Sequence, residues 1–240
     1  MFFDNNFLVW LGFFLHLVIV LMSFFFGGIF FRKALNSDVK KARLFLYFIT
    51  FFFLFMAISY IFRIILVFLI PPNMDTFLYE LTVHRTELTQ DFAVIYAFAV
   101  YVSMTTLCAG VEFSALKAKT KYLLSAIIIG SLLFIGFLLA SELISYKYAT
   151  FVQIIPMIIS TTIIVLLSGV YFYLSLNNTG QIRKKSFLIG IGLLVLIGGI
   201  FLSSRGVFQS AFLNILEIPM LFSPSMIILS FGLLFSGYRL

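Results

Sequence analysis

Seven long apolar runs, separated by short gaps that hold nearly every charge, leave this chain little choice but a bundle of membrane-crossing helices. A helix advances only ~1.5 Å per residue, so crossing a hydrocarbon core of roughly 30 Å takes about 20 apolar residues. The runs at 7–31, 44–70, 92–116, 122–145, 151–176, 187–209 and 219–238 all reach that length. Hydrocarbon offers the backbone no hydrogen-bond partner, so each run must satisfy its own amides as a helix. The longest gap, 71–91, is too short to bury a core of its own. The expectation is therefore an all-α, polytopic bundle of seven transmembrane helices, forming a single transmembrane domain over residues 1–240.

Charge sets the orientation. Lysine and arginine resist translocation, so short loops rich in them mark the cytoplasmic side. Twelve of the 16 basic residues fall in alternate connections: Arg32, Lys33, Lys40, Lys41 and Arg43; Lys117, Lys119 and Lys121; Arg183, Lys184 and Lys185; and Arg239. The opposite ends hold Arg63, Arg85, Lys147 and Arg205 together with seven of the nine acids. This predicts an exterior N-terminus and a cytoplasmic C-terminus in a prokaryotic cell membrane. The net charge of +7 is then a topology signal with some attraction to anionic lipid, and it gives no reason to expect nucleic-acid binding. Asp4 precedes the first run and Arg32 and Lys33 follow it, the reverse of a secretory signal. The glycosylation pattern at Asn177-Asn178-Thr179 lies on the expected cytoplasmic side, so it is expected to stay unmodified. A single cysteine, Cys108, permits no intrachain disulfide.

Helices in lipid associate through close backbone approach and polar contacts. Small residues four apart suggest such grooves at Ser23/Gly27, Ala126/Gly130, Gly136/Ala140, Ser186/Gly190 and Gly232/Ser236. Between the second and third runs, Phe77, Leu81, His84 and Leu88 recur at helical spacing, which predicts a short interfacial helix over 75–88. Pro156, Pro219 and Pro224 fall near span ends, where a missing amide costs little, though Pro224 can bend the last helix.

Counting from the basic ends, Arg63 lies 20 residues beyond Arg43, and Arg205 20 beyond Lys185, each about 30 Å along its helix. Asp91, Glu142 and Glu217 reach a similar level by the same arithmetic. Apolar sequence continues past both arginines, so their side chains are expected to face protein, Arg63 with Ser59 and Arg205 with Gln209 on the same helix face. Two readings stay open. The arginines pair with the acids and lock the outer end of the bundle, or they line an outward-facing pocket for a small anionic or zwitterionic ligand, with Tyr96, Tyr101, Thr105 and Thr106 contributing. Candidate ligand residues are thus Arg63, Asp91, Tyr96, Glu142, Arg205, Gln209 and Glu217. Glu112 is an acid at the basic end, with Arg43, Lys117 or Lys119 as expected partners. With Lys117, Lys119, Lys121, Arg183, Lys184 and Lys185 it makes up the candidate surface for lipid or a cytoplasmic or membrane protein partner. His16, midway along the first run, is expected to be hydrogen-bonded inside the bundle rather than to hold a metal.

The matched spacing to Arg63 and Arg205 hints that spans one to three and five to seven form a parallel repeat joined by an odd fourth helix. No phosphate loop, HExxH, GxSxG or CxxC motif occurs, and the last span lacks the lysine a retinal Schiff base needs. No cofactor or metal is expected, and an enzyme is disfavoured. Glu112 followed by Lys119-Thr120-Lys121-Tyr122, and the segment Gly180-Gln181-Ile182-Arg183-Lys184-Lys185, resemble uncharacterised archaeal seven-helix membrane proteins, with a fainter likeness to the seven-helix input regions that precede histidine kinases. The resemblance implies a sensor-like role, and because Leu240 closely follows the last span, the output is expected to be another polypeptide. The alternatives are a small-solute transporter and a structural subunit of a membrane complex.

Overall fold

The computed structural model describes residues 5–65, 87–114, 116, 119–140, 146–203 and 221–239. Among them are seven helices and no strand: α1 (Asn5–Leu35), α2 (Lys40–Ile64), α3 (Glu87–Ser114), α4 (Leu123–Ala140), α5 (Tyr146–Asn177), α6 (Gly180–Ser203) and α7 (Ser223–Tyr238). Three segments, Trp10–Leu35, Lys40–Ile64 and Ile158–Asn177, are long and apolar enough to cross a membrane, and Phe98–Ser114 and Ser223–Tyr238 are shorter apolar helices.

Several helices outrun the apolar stretches that announced them. Lys40, Lys41 and Arg43 belong to α2, and Arg183 to Lys185 belong to α6, because long unbranched basic side chains are good helix formers. Glu87 and Asp91 belong to α3, whose first residue is Glu87. The α1–α2 hairpin closes on backbone bonds from Asn36 to Arg32 O (3.2 Å) and Ser37 to Ala34 O (3.3 Å). Arg43 Nε then donates to Ser37 O across the same turn (3.1 Å). Between α5 and α6 the chain turns through Gly180 at φ +62°, a conformation glycine adopts without strain. The interfacial helix expected over 75–88 lies outside the described residues except at its end, where Glu87 and Leu88 open α3.

The packing has a plain order. α2 lies between α1 and α3, and α6 lies between α5 and α7. The two triplets meet where α1 touches α7 and where α3 touches α5, while α4 bridges α3 and α5. Rings fill the middle: Phe26 stacks on Phe235 (4.2 Å between centroids), Phe30 on Phe53 (5.9 Å), and Phe53 meets Phe231 edge-on (5.2 Å). Ring pairs of this kind add attraction beyond simple area, which matters where lipid already solvates apolar groups.

Of the small-residue grooves expected from sequence, two are contacts among the described residues, and Gly136/Ala140 lies outside those whose side chains are described. Gly27 faces Phe53 and the Thr50 carbonyl, and Gly190 lies against the Phe172 ring. Gly130 and Gly232 have nothing within 4 Å of a built Cβ. Pro224 is buried at the start of α7, where no helical hydrogen bond is lost.

Candidate functional site

Arg63 is buried near the end of α2 that lies away from the lysine-rich loops. Its Nε donates to His16 Nε2 on α1 (3.1 Å) and its Nη1 to the Tyr96 hydroxyl on α3 (2.8 Å). The guanidinium carbon also lies 5.3 Å from the Tyr96 ring centroid, close enough for a cation–π contribution. Three helices thus meet on one side chain.

The histidine's state follows from its bonds. Arginine only donates, so Nε2 must be the bare, accepting nitrogen. Nδ1 lies 2.7 Å from the Gly12 carbonyl, which only accepts, so Nδ1 carries the proton. His16 is therefore the neutral Nδ1–H tautomer in this arrangement. Its ring also packs on Tyr60 (5.7 Å), and Tyr60 stands edge-on to Tyr96 (6.4 Å). Among the described residues, then, a buried positive charge is held by neutral groups.

Helix direction explains the meeting. His16 lies 19 residues before Leu35, about 28 Å along α1, and Arg63 lies 23 residues after Lys40, about 34 Å along α2. Side chains lean toward the N-terminus of their helix, so Arg63 reaches back down to the level of His16. The sequence carried this signal, since the depth arithmetic applied to the arginines works equally well for His16.

Asp91 is in α3, five residues before Tyr96, but its side chain lies outside the described residues. Glu142, Arg205, Gln209 and Glu217 lie outside them altogether. The structure therefore brings together Arg63 and Tyr96 from the expected set and adds His16. Thr105 and Thr106 turn their hydroxyls back to their own helix, onto Tyr101 O (2.8 Å) and Ser103 O (2.7 Å). Ser59 likewise donates to Met56 O (2.8 Å).

At the other end of α3, Glu112 departs from expectation. Its described partners are not the basic residues but the start of α4. Oε1 accepts from Thr120 Oγ1 (2.6 Å) and the Leu124 amide (3.2 Å). Oε2 accepts from the Ser125 amide (3.0 Å) and the Ser125 hydroxyl, with Cys108 Sγ at 3.8 Å. The first amides of a helix lack internal acceptors and carry partial positive charge, so a fully buried carboxylate suits them without a cation. Lys121 and Tyr122 adopt left-handed backbone angles just before α4 (φ 49° and 61°), uncommon for residues with a Cβ, and the capped helix start holds that turn in place. Arg43 closes its own hairpin instead, Lys119, Lys121, Arg183 and Lys184 are exposed, Lys185 is half-buried, and Lys117 lies outside the described residues.

Among the described residues no group of three metal-binding side chains occurs. No known protein family, curated protein or solved structure matches this chain.

Proposed function

We propose that this chain crosses the membrane seven times, with its N-terminus outside and its C-terminus in the cytoplasm of a prokaryotic cell, and acts as a receptor-like, non-enzymatic sensor. Arg63 is the anchor for a small anionic or zwitterionic ligand entering from the exterior, and the basic inner loops meet lipid or a separate signalling polypeptide. The observation that carries this reading is the buried guanidinium held by an imidazole and a phenol. A charge inside a membrane bundle is costly unless compensated, and among the described residues the partners of Arg63 are neutral, which suits it to attract an anion.

A small-solute transporter is the second reading, favoured by the two matched triplets. Against it, the rings of Phe26, Phe30, Phe53, Phe231 and Phe235 fill the middle of the bundle on the basic side of Arg63, an arrangement that suits a ligand which binds and stops.

The test is thermal unfolding of the full chain in lipid nanodiscs with acetate, glutamate, taurine and phosphate as probes. A ligand of the native state raises the midpoint by mass action. The proposal expects at least one probe to stabilise the native protein and to lose that effect in Arg63→Gln. Stabilisation that survives in Arg63→Gln, or none with any probe, contradicts it.

A further inference from the structure

We propose that the bundle consists of two copies of one three-helix unit, α1–α3 and α5–α7, that behave as separate bodies meeting along a ring-lined seam. This inference stands independently of the ligand reading. Its basis is a set of contacts that recur at one fixed register.

In the first unit Ser103 Oγ on α3 donates to Phe52 O on α2 (3.0 Å), and in the second Ser230 Oγ on α7 donates to Gly192 O on α6 (2.9 Å). The two serines are 127 residues apart and the two acceptors 140. Seven residues after each serine comes a glycine against the middle helix. Gly110 meets Phe45, Phe48 and Ile49, and Gly237 meets Lys185 O and Ile189. Phe45 and Lys185, and Ile49 and Ile189, are again 140 apart.

The first helices agree. Gly27 of α1 faces the Thr50 carbonyl, and Ser168 of α5 donates to Gly190 O (2.8 Å). Those two carbonyls are also 140 apart. Burial follows the same register: Ile19, Ser23, Phe26, Phe30 and Ala34 of α1 correspond to Ser160, Ile164, Leu167, Tyr171 and Ser175 of α5, and every one is buried. The contacts between units obey it too, because exchanging the units turns the α1–α7 contact into the α5–α3 contact. An approximate two-fold axis along the bundle has this signature.

Arg205, which the sequence spacing matches to Arg63, lies outside the described residues, and the packing register can be followed only to the end of α6. That register places Ser203, the last residue of α6, at the Arg63 position and Ser223 at the Tyr96 position. Ser223 there donates to Gly199 O (2.8 Å) where Tyr96 holds the arginine. Among the described residues the polar cluster belongs to the first unit.

Within each unit, side chains bond directly to neighbouring helices. Between the units, the described side-chain contacts of α1 and α2 with α7 are ring on ring, Phe26 and Phe30 with Phe235, and Phe52 and Phe53 with Phe231, while Tyr171 on α5 and Ser114 on α3 share a hydrogen bond. Rings that slide lose little, whereas each hydrogen bond to a backbone carbonyl is made or broken, so a seam of rings with one described hydrogen bond yields before the units themselves do.

The test uses the full chain with a site-specific protease site inserted either between Ala140 and Tyr146 or in the hairpin at Ser37–Val39. After cleavage in mixed micelles, rising dodecyl sulfate is followed by retention of the untagged fragment on a C-terminal affinity tag. The two halves are expected to part at a lower detergent fraction than that at which α1 leaves the rest. Release of α1 at an equal or lower fraction overturns the proposal. Should either insertion prevent expression, pulling the intact chain by its ends in a bilayer reads the same property. Two dominant unfolding steps are then expected, and a ladder of single-helix steps contradicts the proposal.

Discussion

The two triplets use the same framework and fill it in opposite ways. Between α2 and α3 the volume comes from rings and a polar cluster, with Arg63 reaching both neighbouring helices. Between α6 and α7 it comes from absence of volume: a Cβ on Gly192 would lie 3.2 Å from the Leu234 amide, and one on Gly199 3.2 Å from Ser223 O. Helices spaced by aromatic side chains leave room for a guanidinium, whereas helices joined through glycine bring backbone against backbone and leave none. The difference shows how one packing register can hold a polar centre in one half and a tight seal in the other.

The largest expected effect falls on the connector that both triplets share. Glu112→Leu strips the acceptor from Thr120, Leu124 and Ser125 at once, and a loss of about 3 kcal/mol or more is expected in detergent unfolding. Glu112→Gln, which keeps one accepting oxygen, is expected to lose less. Next, Gly237→Val drives a side chain into Ile189 and the Lys185 carbonyl, at a cost of about 2 kcal/mol. Gly27→Ala in the other triplet finds Phe53 at 3.5 Å, ordinary contact, and is expected to stay within about 0.5 kcal/mol of the native chain.

Arg63→Lys is expected to lose about 1 kcal/mol, because an ammonium cannot present the planar fork that meets His16 and Tyr96 together. Smallest are Ser103→Ala and Ser230→Ala, about 0.6 kcal/mol each, the usual scale for an interhelical hydrogen bond in a membrane protein. Their near equality, measured by the same unfolding, sharpens the correspondence of the two units.

Helical class was legible because apolar runs and charged gaps act over many residues at once. Helix edges were less so, since Lys40 and Arg183 continue a helix as readily as they begin a loop. The burial of Arg63 was legible from the apolar residues that follow it. Its attachment to His16 was not drawn, because His16 was placed by its position in the apolar run rather than by distance from the hairpin. Glu112 was assigned to cations by charge alone. Its described partners are amides and hydroxyls, which carry no formal charge and depend on where α4 begins, while Lys117 lies outside the described residues. The three-helix unit was hinted at by the matched spacing of two arginines, of which Arg205 lies outside the described residues. Packing preserves which positions face inward while exchanging Phe52 for Gly192, so residue identity hides what geometry repeats.

The account rests on a neutral imidazole holding the Arg63 guanidinium. The chain has two histidines, so ring-¹⁵N labelling of a His84→Gln variant in lipid leaves His16 as the one imidazole signal. With arginine Nε labelled as well, solid-state NMR should show Nδ1 protonated, Nε2 bare, and a dipolar coupling between Nε2 and Arg63 Nε that corresponds to about 3.1 Å. A protonated Nε2, or no coupling to the guanidinium, would contradict it.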